Sequence, residues 1–147
     1  MAYNNASTSY KETKIKTASQ GQLIVMLYDE AVKQLNNALE LVELNNSGKK
    51  EPGRIELISK AVMKAEEIIT ELMVSIDFEQ GGEIAKNLFA LYTWFNRELV
   101  EANITHDTQR LTTVRDMITE MRSSWNEIVS KSAAEANREI VGLDIAG

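Results

Sequence analysis

Apolar residues recur three and four positions apart over most of the chain, and strand-type alternation is absent over any useful length, so the pattern predicts helices throughout. A first helix is expected after Ser19, which caps it with Gln22 three positions on, as in a capping box. Its inward stripe is Ile24, Leu27, Tyr28, Ala31, Leu35, Ala38, Leu39 and Val42, and it runs to about Leu44, where the Asn45–Gly48 cluster ends it. A second helix spans roughly Gly53 to Ile76, with Ile58, Ala61, Val62, Ala65, Ile69, Leu72 and Ile76 on one face. Asp77 to Gly82 breaks it. A third, from about Glu83 to Asn103, carries Ile84, Leu88, Leu91, Tyr92, Phe95, Leu99 and Ala102 inward. After a turn through His106, Asp107 is placed to cap a fourth. Its Leu111, Val114, Ile118, Met121, Trp125 and Ile128 form a heptad seam, and it is expected to end between Lys131 and Asn137.

Four amphipathic helices joined by short connections satisfy one another best as an all-α, antiparallel up-down four-helix bundle, about 30 to 40 Å long, with an N-terminal arm. Residues 1–18 hold no Leu, Val or Phe but do hold Tyr3, Tyr10 and Ile15, which reads as a mobile arm with anchors. Residues 19–136 are the bundle, and 137–147, with Ile140, Val141, Leu143 and Ile145, read as a flexible tail.

Length and charge narrow the function. The 147 residues, 44% of them apolar, make one domain of ordinary size. A formal net charge of -6 gives little grip on phosphates, so nucleic acid is not an expected partner. No cysteine is present, which removes thiolate catalysis and Cys-ligated metals. The longest apolar run, Leu23 to Tyr28, is far below the roughly 18 residues a membrane span needs, so no membrane insertion is expected. The opening residues lack a basic, then apolar, secretory signal, and the expected location is the cytoplasm.

The chemistry of an enzyme is hard to assemble from what remains. A di-metal bundle needs Glu-x-x-His pairs on two helices, and the chain has a single histidine, His106, in a turn. Glu66 and Glu67 are adjacent on a helix and do not converge on one point, so they read as solvated surface. Phosphate-binding glycine loops and the Gly-x-Ser-x-Gly elbow are missing. No catalytic residue, metal or cofactor is assigned, and the expected function is not enzymatic.

Surplus apolar surface is the more informative feature. Leu57 and Ile68 lie on the edge of the second helix's stripe, Phe89 and Val100 well off the centre of the third's with Trp94 on its opposite flank, and Val25 and Val32 extend the first. Such edges cover an extra segment, bind an apolar partner or pair two copies of the bundle. Periodicity leaves all three open.

Particular words of the sequence are more specific. Tyr10 to Ile15 (YKETKI), then Thr17-Ala18-Ser19 and Leu23-x-x-Met26-Leu27-Tyr28-Asp29, resemble the opening of the flagellar export chaperone family FliS. Lys60-Ala61, Ile68-Ile69-x-Glu71-Leu72, Asp77 and the stretch from Gly82 through Ile84, Asn87 and Leu88 to Tyr92 are similar to its middle. Leu99-Val100-x-Ala102-Asn103, Asp107 and Val114 through Trp125 are similar to its end. Two positions depart: Gln20 stands where the family commonly has proline, and Glu30 where it has glycine. The resemblance implies a cytoplasmic chaperone that binds the disordered C-terminal region of flagellin, prevents premature polymerisation and hands it to a flagellar export gate component, with flagellar regulatory proteins as further partners. On that basis flagellin-binding residues are expected at Tyr10, Ile15, Thr17, Leu57, Ala61, Ile68, Leu72, Phe89, Tyr92 and Val100, the arm covering the groove when no client is bound. The alternative is a self-associating helical scaffold or a module for a regulatory protein.

Overall fold

A computed structural model of the protein describes residues 20–146, and the side chains of residues 20–138. Four helices account for nearly all of it: α1 (Gln20–Ser47), α2 (Pro52–Val74), α3 (Phe78–Thr105) and α4 (Thr108–Ala146). Among the described residues there is no strand, and no helix is long and apolar enough to cross a membrane. The fold is an all-α four-helix bundle. The expected arm, with its Ser19 cap, lies outside the described residues.

The helix boundaries follow local chemistry. Pro52 opens α2, where a missing N–H removes no helical hydrogen bond and φ is already set. Asp77 caps α3, its Oδ1 accepting from the backbone N–H groups of Glu79 and Gln80, both at 3.1 Å. The break expected over 77–82 falls in two places: at residues 75–77, between α2 and α3, and at Gly82, whose φ of 52° and ψ of -125° interrupt α3 one turn after its start. That conformation is the first central position of a type II′ turn, which glycine adopts without a Cβ clash. At the far end His106 sits in the left-handed region (φ 55°, ψ 39°) as the C-cap, its N–H donating to Ala102 O at 2.7 Å. Asp107 caps α4 as expected, accepting from Gln109 N at 2.9 Å and Arg110 N at 3.4 Å.

α4 does not stop between Lys131 and Asn137. It continues to Ala146, so the segment 137–147 expected as a tail is helical almost to its end. Ser132-Ala-Ala-Glu-Ala136 contains three alanines and a glutamate, strong helix formers with no breaker among them, which accounts for the run-on.

By packing, the described residues divide into two compact units, one of residues 27–120 and one of residues 20–26 with 121–146. In the first, polar contacts fix the order of the helices. Asn96 Nδ2 donates to Thr70 Oγ1 at 3.3 Å and Asn103 Nδ2 to Ser59 Oγ at 3.2 Å, so α3 ascends as α2 descends. Arg115 Nη1 donates to Asn36 Oδ1 at 3.1 Å, tying α4 to α1, and Arg110 pairs with Glu98, tying α4 to α3. The core is the set of inward stripes: Tyr28, Ala31, Leu35, Ala38 and Val42 from α1, Ile58, Val62, Ala65, Ile69 and Leu72 from α2, Phe95, Leu99 and Ala102 from α3, and Leu111, Val114 and Ile118 from α4. Through its centre the hydroxyls of Tyr28 and Tyr92 meet at 2.5 Å. Burial pushes the Tyr92 phenol above its usual range, against the lowering effect of that hydrogen bond.

Ile84, expected in the core, is 71% exposed; it follows the Gly82 break, and Ala85 takes the inward place. Ile68, expected on an edge, is buried, because α2 packs over a wide arc that includes both Ile68 and Ile69. The second unit, over its described residues, brings α1 and α4 so close at Gly21 that a Cβ there would stand 2.5 Å from Val129 Cγ2. Val25 is buried there, Trp125 is half-buried and Ile128 is exposed.

A candidate binding groove between α2 and α3

The antiparallel α2–α3 pair leaves a groove of about 640 Å³ on its outer side, lined by Met63, Glu66, Glu67, Thr70 and Glu71 from α2 and by Asn96 and Val100 from α3. The lining follows from helix geometry. On α2, Met63, Thr70 and Val74 are seven and four apart, which keeps them within about 20° of one line at 100° per residue. On α3, Phe89, Thr93, Asn96, Val100 and Ile104 repeat at four, three, four and four, another single row.

Both rows are partly apolar and open. Met63 is 52% exposed, Phe89 42% and Val100 47%. Val74 and Ile104, at opposite ends of the rows, are more exposed still. At one end Phe78, on the short turn before Gly82, meets Phe89 edge to face, with ring centroids 5.8 Å apart. In the middle Asn96 reaches across to Thr70, while its own Oδ1 is buried without a hydrogen-bond partner among the described residues. The charged lining is acidic. Burial, reinforced by the neighbouring Glu67 charge, raises the Glu66 carboxyl above the usual range. Among the described residues, no three His, Asp or Glu side chains gather as a metal site.

The residues expected from sequence fall into four groups. Phe89 and Val100 stand in the α3 row that borders the groove. Leu57 is exposed, yet six residues before Met63 it points about 120° away from that row and joins no shared surface with them. Ala61, Ile68, Leu72 and Tyr92 are buried, at 6% exposure or less, and pack inside the bundle. Tyr10, Ile15 and Thr17 lie outside the described residues. Reasoning from apolar stripes missed Met63, Thr70 and Asn96, because the groove lining mixes polar with apolar side chains. The available signal was Asn96 and Asn103, seven apart and on the flank of an otherwise apolar stripe.

By fold and surface this is an all-α four-helix bundle with an open groove along one helix pair. Residues 2–132 match the family model described as flagellar protein FliS. The chain is 30% identical to the flagellar secretion chaperone FliS of Bacillus subtilis over 129 residues, covering 88% of this chain and 90% of that protein. It is 34% identical to the protein of the same name from Salmonella typhimurium over 128 residues (86% and 89%), and 32% identical to that of Escherichia coli over 116 (79% and 80%). The protein belongs to the FliS family, a family of flagellar chaperones and not of enzymes.

Proposed function

We propose that this protein is a cytoplasmic flagellar export chaperone that binds the disordered C-terminal region of flagellin, keeps flagellin from polymerising early and assists its delivery to the export gate of the flagellar type III apparatus. Family membership supports the chaperone role, and the observation that carries the binding mode is the pair of half-exposed apolar side chains, Met63 and Val100, lining the α2–α3 groove, with half-exposed Phe89 further along the α3 row. An amphipathic helix lays anchors at i, i+3/i+4 and i+7 into such a groove.

Magnitudes decide how much of the client is engaged. Fully burying a Met, Phe or Val contributes about 1.5–3 kcal/mol, and about half of each side chain is already covered, so the three add roughly 2–5 kcal/mol. Matching client side chains about double this. Ordering a disordered tail costs about 2–5 kcal/mol and association itself about 4–15 kcal/mol. One groove therefore gives weak binding at best, and a tight complex requires the tail to run on over further surface.

Calorimetric titration with a peptide of flagellin's last roughly 40 residues, long enough to span a bundle of this size, tests the proposal. The expected result is one-to-one binding with a negative heat-capacity change, lost in Val100→Asp while helical circular dichroism is kept. No binding, together with a concentration-dependent dimer in which the row is covered, would replace the proposal with a self-associating scaffold.

A further inference from the structure

Resting on that reading of the groove, we propose that the α2–α3 groove is charge-polarised, and accepts a client helix rolled so that lysine or arginine side chains on one flank of its apolar face lie along α2.

The two walls differ in kind. The α2 wall carries Glu66, Glu67 and Glu71, whereas the α3 wall presents Asn96 and Val100, and no lysine or arginine lines the groove. None of the three carboxylates is ion-paired with a described residue. The chain's other acid–base contacts, such as Arg110 with Glu98 and Arg54 with Glu51, leave this wall aside. The floor repeats the polarity, since Asn96 Oδ1 lacks a donor among the described residues.

Geometry sets the match. Glu67 and Glu71 are one helical turn apart, about 6 Å along the axis, so basic residues at i and i+4 of an antiparallel or parallel client helix face them together. Burial, and after it the neighbouring Glu67 charge, disfavours the charged form of Glu66, and a client cation beside it offsets both. An apolar floor alone lets an amphipathic helix roll about its axis or bind in either flank's register. Charge on one wall removes that freedom and rejects helices with acidic flanks, an effect on specificity more than on total affinity.

The test compares binding of the flagellin C-terminal peptide to wild type, Glu67→Lys/Glu71→Lys, Glu67→Gln/Glu71→Gln and Val100→Asp, each at low and high NaCl. These are exposed or half-exposed helix positions, and circular dichroism checks that each variant folds. For two exposed pairs the expected loss is roughly 3- to 10-fold in the Gln variant at low salt, larger in the Lys variant, and small at about 1 M NaCl, where screening acts within about 3 Å. If Val100→Asp abolishes binding while both Glu variants bind as wild type at every salt, the groove stands and its polarity is overturned. If Val100→Asp binds normally, the groove reading itself fails, and the polarity with it. A Lys variant that binds more tightly would reverse the sign of the proposal.

Discussion

Gly82 and Gly53 allow backbone conformation to be separated from packing in one protein. A Cβ built on either glycine meets nothing within 4 Å, so neither substitution creates a clash. They differ in φ: Gly82 stands at 52°, whereas Gly53 lies in the first turn of α2 outside the positive-φ region. Gly82→Ala places a Cβ in a region costing an L-residue about 1–3 kcal/mol. At Gly53 alanine narrows the unfolded ensemble without strain, a gain of about 0.4–1 kcal/mol. For a chain of this size 1 kcal/mol is about 2–4 °C, so Gly82→Ala is expected to lower Tm by about 2–12 °C and Gly53→Ala to raise it by about 1–4 °C. Thermal unfolding followed by helical circular dichroism measures both. Shifts of the same sign and similar size would refute the reasoning, because a difference in φ alone could not produce them.

Three further outcomes are expected. Gly21→Ala forces a Cβ to within 2.5 Å of Val129 Cγ2 and should cost about 1–3 kcal/mol in urea unfolding, with most of it recovered in Gly21→Ala/Val129→Ala; no recovery would place the strain elsewhere. Asp107→Ala removes the acceptor for the Gln109 and Arg110 N–H groups and should cost about 0.5–2 kcal/mol, Asp107→Asn much less, and an Ala variant as stable as wild type would remove the cap from the account. The folded chain holds the Glu66 proton more tightly than the unfolded chain does, so stability falls as pH rises through the interval above 4.5. Glu66→Gln should therefore gain Tm over wild type at neutral pH and little in mild acid near the ordinary carboxylate range, and a larger gain in acid would contradict the sign.

The helices were legible because their buried stripes obey one period: Leu35, Val62, Leu99 and Val114 lie inside where spacing puts them. The cap at Asp107 was readable for a similar reason, since a short acceptor before an apolar run has few other uses, whereas Asp77 read as the start of a break and its capping role emerged only from the structure. Side choice at the stripe margins was not. Ile68 and Phe89 both stand off-centre on their helices, yet one is buried and the other is open, and the difference depends on which neighbour packs alongside. The groove's polar members were least visible, because Thr70 and Asn96 are defined by each other across two helices, a relation no single-helix period contains. The run-on of α4 to Ala146 escaped because a polar, alanine-rich stretch shows no stripe while still favouring helix.

The joined hydroxyls of Tyr28 and Tyr92 bear on which arrangement the chain avoids. Aliphatic stripes of Leu, Ile and Val tolerate sliding, since one methyl group replaces another at little cost. Shifting α1 along α3 by a single turn, about 5.4 Å, would separate these hydroxyls and take from Tyr92 its partner in the apolar interior. A buried hydroxyl left without a partner costs about 1–3 kcal/mol, a sizeable share of a domain's total stability of about 5–15 kcal/mol. One polar contact thus acts as a vernier on an otherwise greasy joint, penalising misaligned bundles more than it strengthens the aligned one.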